Sequence, residues 1–235
     1  MGILFADLFA ILKQPHTIVA EEISFIGGSQ YCCVCFIDIV DSTRITTVEI
    51  IHSQNIKRYY SIFINTMAAI VRDFDATIIK NTGDSLIYYF PKTIDSTNMS
   101  DFKNIFECGL TMIAVNPIIN AKLKEEGLPD LHYRISADYG RVEIAKSLTS
   151  TSEDLFGPIV NLCSKINSKA LPNKMVIGNN LYQVTKATFE SNYHFTKIDE
   201  YSIDNNSENR YPVYSIVSKN KNDNDNRIKL YKNIV

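Results

Sequence analysis

Two short apolar runs in this chain each end on an aspartate, and that pairing limits what the chain can fold into. They read Cys-Phe-Ile-Asp-Ile-Val-Asp-Ser-Thr over residues 35–43 and Ile-Lys-Asn-Thr-Gly-Asp-Ser-Leu over residues 79–86. A carboxylate at the end of a buried strand costs free energy unless a partner offsets it. If the two runs are neighbouring strands, Asp38 and Asp84 come together, and like charges repel there unless a divalent cation sits between them. The fold has to supply both the adjacency and the compensation.

Periodicity sketches the frame around those runs. Residues 31–39 read as a central strand, apolar on both faces. Ser42 and Thr43 are N-cap candidates for a long helix reaching about Phe74, with Ile56, Tyr60, Phe63, Met67 and Ile70 at helical spacing. Stretches 77–82 and 86–90 flank Gly83-Asp84-Ser85, which predicts a hairpin with Asp84 at its tip. A helix follows over 99–125, kinked at Pro117. Stretches 133–137 and 142–145 predict a second hairpin around Asp138-Tyr-Gly-Arg141. Gly157-Pro158 opens another helix, with proline suited to its first position. A strand at 175–178, a helix at 180–185 and strands at 193–198 and 211–217 close the series. This order predicts an α+β fold, a mostly antiparallel sheet with helices on one face.

Composition narrows the function. Net charge is −2 over 235 residues, so no global basic field recruits nucleic acid, and phosphate binding has to be local. Cys32, Cys33, Cys35, Cys108 and Cys163 lack the paired spacing of a zinc clip. They read as buried small hydrophobes in a reducing, cytoplasmic setting. His16, His52, His132 and His194 have no i, i+4 partner for a metal. There is no Gly-x-x-x-x-Gly-Lys-Ser phosphate loop, and Ser42, Ser85 and Ser164 lack the surroundings of a hydrolase nucleophile.

Residues 1–29 are read as an N-terminal helix and connector. The apolar residues at 4, 5, 8, 9, 11 and 12 would make a stripe expected to pack on its own domain or a partner subunit, with membrane-surface contact as the alternative. The stripe is too short to span a bilayer. Residues 30–217 make the main domain, and the polar residues 218–235 are expected to stay disordered.

Asp38 and Asp84, with the Ile39 carbonyl, suit a hard divalent cation, which takes one or two carboxylates and leaves room for water and phosphates. The turn Val40-Asp41-Ser42-Thr43-Arg44 enters a helix N-terminus, where backbone N–H groups favour phosphate.

Together, Phe36-x-Asp38-Ile39-x-x-Ser42-Thr43, Lys80-x-x-Gly83-Asp84-Ser85 and Asp154-Leu-Phe-Gly-Pro-Ile-Val-Asn161-Leu-Cys-Ser-Lys165 resemble the catalytic core of the class III nucleotidyl cyclases, with their ferredoxin-like, palm-like sheet. The diguanylate cyclases, which share that sheet, would carry Gly-Gly-Asp-Glu-Phe at the hairpin, and Asn81-Thr-Gly-Asp-Ser85 does not match. The resemblance implies conversion of a nucleoside triphosphate to a 3′,5′-cyclic nucleotide and pyrophosphate by two metal ions, Mg²⁺ or Mn²⁺. Asp38, Ile39 and Asp84 would hold the metals, and Val40, Asp41, Ser42, Thr43 and Arg44 would cradle the triphosphate. Lys80 and Asp154 would read the base, and in this family that combination goes with ATP. Asn161 would orient the ribose, and Lys165 stands where an Arg normally stabilises charge at the α-phosphate.

The resemblance also implies a head-to-tail homodimer, in which one chain would bring Asp38 and Asp84 and the other Lys80, Asp154, Asn161 and Lys165. Three departures stand out: Lys165 for Arg, Asp41 for the usual Gly, and no clear match for a C-terminal Lys, with Arg210 the nearest stand-in. Two alternatives stay open. One is a pyrimidine nucleotide cyclase, for CTP or UTP, of the kind used in antiphage signalling. The other is a weakly active nucleotide-binding module that dimerises.

Overall fold

Residues 32–37 are buried on both sides because they belong to an inner strand. The computed structural model describes residues 23–50, 52–147, 153–203, 209–220 and 222–231; the N-terminal stripe expected at 4–12 lies outside them. In chain order the elements are β1 (Ile23–Phe25), β2 (Gln30–Ile39), the single turn α1 (Ser42–Arg44) and α2 (Ser53–Asp73). The hairpin β3 (Thr77–Asn81) and β4 (Ser85–Phe90) comes next, then α3 (Met99–Ala114) and α4 (Asn116–Glu125). The second half holds β5 (Tyr133–Ser147), β6 (Glu153–Phe156), α5 (Pro158–Asn167), β7 (Lys174–Gly178), α6 (Asn179–Phe189), β8 (Tyr193–Ser202), β9 (Arg210–Ser218) and α7 (Asp223–Tyr231).

The sheet runs β3-β4-β2-β5-β7-β9-β8, with β1 and β6 both pairing to β5. Among the described strands only β5 and β7 run parallel, so the sheet is mostly antiparallel, as predicted. Alternation along β2 divides the core. Cys33, Cys35, Ile37 and Ile39 face Phe63 and Met67 of α2 and Phe106 of α3. Cys32, Val34 and Phe36 face the opposite way, against Ile159 and Cys163. The helix layer therefore covers one face, and among the described elements α5 is the helix on the other. Gly140 lets α5 approach: a Cβ there would sit 2.9 Å from the Ile159 side chain. Among the described residues no helix is long and apolar enough to cross a membrane.

Three expectations need correction. The helix foreseen from Ser42 to Phe74 is two pieces, because a π-type turn over Ile45–Glu49 ends the first before α2 starts at Ser53. The hairpin foreseen around Asp138–Arg141 is one continuous strand, β5. Asp138 looks like a turn residue yet is fully buried. It accepts from the Tyr211 hydroxyl at 2.7 Å, the Leu181 N–H at 3.1 Å and the Tyr139 N–H at 2.9 Å, so it ties β5 to α6 and β9.

The polar tail is the third correction, since residues 223–231 fold as α7. Arg227, 5% exposed, reaches Glu107 of α3 at 2.7 Å. The Tyr231 hydroxyl donates to Asp73 at 2.9 Å. A helix with little apolar surface is thus held by a partly buried ion pair whose other charge lies far back in sequence. The break near Pro117 is where it was foreseen, with α3 ending at Ala114 and Pro117 in the first turn of α4.

Burial pushes the Asp138 carboxyl up to about 6, with its three donors pulling the other way. Its folded value thus exceeds that of an unfolded aspartate, about 3.9. The stability it contributes is complete below about pH 4 and is lost as pH rises through 6. Asp138→Asn, an isosteric amide, should flatten that loss. Between pH 4 and pH 8 the variant should gain up to about 3 kcal/mol relative to wild type, read from urea melts at each pH. A pH-independent difference between the two proteins would refute it.

Candidate functional site

Strand pairing does for the two aspartates what their sequence positions could not. Asp38, next to last in β2, lies opposite Ser85 of β4 on one side and Arg134 of β5 on the other. Asp84 sits at the tip of the β3–β4 hairpin, and its carbonyl accepts from the Ile39 N–H at 3.0 Å. The tip is tight: Gly83 takes φ 87°, and its N–H donates to the Asn81 side chain at 3.1 Å. Gly there removes the Cβ penalty of a left-handed backbone.

The crowding has an electrostatic signature. The Asp38 carboxyl is pushed up to about 6, first by burial and then by the Asp84 charge, while Arg134 pulls it back. Asp84 has its own relief, because the buried Ser42 hydroxyl donates to its carboxylate. Two carboxylates and a neighbouring backbone carbonyl make an all-oxygen donor set, which fits a hard cation such as Mg²⁺ or Mn²⁺ and not zinc or copper. No third His, Cys, Asp or Glu joins them among the described residues, in keeping with a metal that completes its shell with water and substrate oxygens.

Arg134 was not singled out in the sequence, and it belongs here. Its Nε is buried without a hydrogen-bond partner, and it lines a cavity of about 300 Å³ with Asp38, Thr82, Ser85, Ser164 and Asn167. A cation in the otherwise uncharged run Tyr133-Arg-Ile-Ser-Ala137 was the available signal. Such a residue is placed in a strand for a partner, not for packing.

The turn after β2 differs in detail from the expected cradle. The Val40 N–H donates to His132 at 2.8 Å. Asp41 takes a left-handed backbone, φ 56°, and its carbonyl accepts from Ile45 N–H at 3.0 Å. That conformation explains why glycine suits this position, and aspartate is among the few side chains that tolerate it. Thr43 is exposed, and Arg44 is paired with Glu49 instead of facing the turn.

On the far side of the hairpin, Lys80 and Asp154 come together, Nζ to Oδ2 at 3.9 Å, each about half exposed. Asn161 and Lys165 lie one turn apart on α5, both exposed, and neither lines the Asp38 cavity. Arg210 is drawn to Glu200 at 3.6 Å across β8–β9. Asp41→Gly should relieve the backbone by up to about 1 kcal/mol and remove a negative charge from the turn. Thermal melts and nucleotide titration of the variant should show a raised melting point and tighter triphosphate binding. A destabilised variant would count against the strain.

Comparison with known proteins agrees with this fold. The fold is similar to that of the adenylyl cyclase CyaB from P. aeruginosa, with a TM-score of 0.71 and 18% identity over 83% of this chain and 97% of that one. The guanylyl cyclase Cya2 superposes with a TM-score of 0.67 and 18% identity, over 81% and 93%. In sequence, a cytidylate cyclase of Staphylococcus aureus is 29% identical over 164 residues, 65% of this chain. The aligned region spans only 37% of that relative's length. The family described as the adenylate and guanylate cyclase catalytic domain matches residues 26–218, most of the chain, and the chain belongs to that family.

Proposed function

We propose that this protein converts a nucleoside triphosphate to its 3′,5′-cyclic monophosphate and pyrophosphate, with ATP the first candidate substrate. The observation that carries the reading is the pairing of two crowded carboxylates, Asp38 and Asp84, with a donor–acceptor pair, Lys80 and Asp154, on the same hairpin and its neighbour.

Asp38, Asp84 and the Ile39 carbonyl would hold Mg²⁺ or Mn²⁺, two ions per site. When bound, the metals activate the ribose 3′-oxygen and neutralise the triphosphate. The chain's own residues do the rest. Val40, Asp41, Ser42 and Thr43 border the triphosphate with their backbone, and Arg134 meets phosphate charge beside Asp38, its Nε free to donate. Asn161 orients the ribose. Lys165 places a positive charge at the α-phosphate, as a point contact where a guanidinium would offer a planar fork.

The site is completed by a second copy, head to tail. Asn161 and Lys165 are exposed and outside the Asp38 cavity, as residues offered to a partner's site would be. An exposed apolar strip supports association: Ile23, Phe25 and Ile26 beside Phe156, with the Phe25 and Phe156 rings 5.7 Å apart.

A second reading, a cytidylate cyclase, draws on the Staphylococcus aureus relative. The test is turnover of ATP, GTP, CTP and UTP with Mg²⁺ and with Mn²⁺, cyclic products resolved by mass. No cyclic product from any of the four would overturn the assignment in favour of a nucleotide-binding module.

Asp38→Asn or Asp84→Asn should lower kcat by about 10³-fold or more, several kcal/mol of transition-state stabilisation, with the fold intact by circular dichroism. Mixing Asp38→Asn protein with Asn161→Ala protein should recover activity, because one interface of the mixed dimer is whole. Failure to recover would argue against shared sites. Lys165→Arg should keep or raise activity, and a collapse would mean the site is built around lysine.

A further inference from the structure

We infer that His132 is a further contact for the triphosphate, its imidazole Nε2–H meeting the terminal phosphate beside the turn after β2. The inference rests on the cyclase reading for the nucleotide, and on strand register and a hydrogen-bond network for the residue.

Register places the side chain. The Val40 N–H donates to the His132 carbonyl at 2.8 Å, which extends the β2–β5 ladder one pair past Ile39 and Tyr133. Residues opposite one another in an antiparallel pair share a face, and so do residues two apart in one strand. His132 therefore lies on the same face as Arg134 and Asp38, one step nearer the end of the sheet. Its Cβ sits about 7 Å diagonally from that of Asp38. The residue is exposed and stands just outside the group that lines the Asp38 cavity.

A network of asparagines fixes this exposed ring. On one side, Asn120 Oδ1 accepts from the Leu131 N–H at 2.8 Å, and Asn116 Nδ2 donates to the Leu131 carbonyl at 2.9 Å. On the other, Asn173 takes a left-handed backbone, φ 56°, and donates its N–H to the Tyr133 carbonyl at 2.7 Å. Its side-chain Oδ1 accepts from the Tyr133 N–H at 3.2 Å. A backbone N–H can only donate, so that contact identifies the oxygen end of the amide. The amino end is left to Asn116 Oδ1 at 3.2 Å and to His132 Nδ1 at 2.9 Å. An amide NH₂ donates and does not accept. Nδ1 is therefore the acceptor, and the ring hydrogen is carried on Nε2.

The result is an oriented donor beside the turn. The His132 carbonyl takes the Val40 N–H out of reach of any phosphate, and the imidazole returns one donor at the same place. Position along the strands says which phosphate it serves. The α-phosphate, which the ribose oxygen attacks, has to stay with the carboxylates that hold the metals. The tail extends from there toward the open end of the sheet, past Arg134 and then to His132. A ring held in one tautomer by buried neighbours needs little ordering when the phosphate arrives.

The terminal phosphate can be removed alone. The experiment is equilibrium titration of the full chain, with Mg²⁺, using the 3′-deoxy forms of ATP, GTP, CTP and UTP, which lack the attacking hydroxyl. Each triphosphate that binds is compared with its 3′-deoxy diphosphate. His132→Ala should weaken the triphosphates about 3–10-fold and the diphosphates less than about twofold. His132→Gln, whose amide also offers an N–H, should recover most of the loss. The ladder bond to Val40 uses the backbone alone, so neither variant removes it. Triphosphate affinity unchanged in His132→Ala, or tri- and diphosphates weakened alike, would overturn the inference. Turnover of the ordinary nucleotides separates it from the cyclase reading. Cyclisation with KM unmoved in His132→Ala would sink the contact alone. A His132-dependent preference for triphosphate without any cyclic product would sink the cyclase reading alone, and a wild-type protein that binds no triphosphate would end both.

Discussion

Everything in the site depends on forcing two carboxylates together at the end of a buried strand. Repulsion between Asp38 on β2 and Asp84 at the β3–β4 tip would splay an isolated strand pair, so the adjacency has to be imposed by something stiffer. That is β2, paired to β4 on one side and β5 on the other and packed on both faces. The repulsion is then distributed: Ser42 donates to Asp84, Arg134 lies across from Asp38, and Asp38 keeps an affinity for a proton or a cation. A carboxyl pushed up to about 6 by burial and by a neighbouring carboxylate gains more from a divalent ion than two relaxed surface aspartates would.

A second buried carboxylate shows the opposite solution. Asp138 has no cation, but three hydrogen-bond donors converge on it from its own strand, from α6 and from β9. The arrangement is too tight for any other residue at Gly178, where a Cβ would fall 2.0 Å from the Asp138 carboxylate. Asp138 joins three elements and needs no ligand, whereas Asp38 joins two strands and is left short of one. The same side chain in the same sheet is satisfied within the fold, or left able to take a ligand, according to how fully its oxygens are served.

Legibility in the sequence followed this distinction. The strand ending in Asp38 and the hairpin carrying Asp84 were legible because local signals agreed: an apolar run, then Gly-Asp-Ser at a turn. Asp138-Tyr-Gly-Arg carries equally good turn chemistry and was misread, since the reason for its glycine, Ile159 of α5, and the donors to its aspartate lie elsewhere in the chain. The α7 helix escaped notice for the same reason. Its polar composition says disorder, and its anchor, Glu107, is on α3. Arg134 was passed over because one cation in a strand is conspicuous only once its neighbour across the sheet is known. The structure also joined Lys80 to Asp154, paired beforehand by resemblance alone, through a bulge that no local pattern announced.

The substitution of Lys165 for the family's arginine weakens the case for catalysis only if that guanidinium is the one planar fork available. Within the proposed reading it is not. Arg134 brings a guanidinium to the carboxylate side of the site, partly withdrawn from water, with one N–H unpaired. A fork held in a cavity is preorganised, because its desolvation is met on folding, and a phosphate oxygen would recover the missing hydrogen bond. Lys165, exposed on α5, would add a mobile point charge from the other copy. Orientation would then reside with Arg134 and charge with Lys165, two demands that a single arginine meets elsewhere and that need not sit on one side chain.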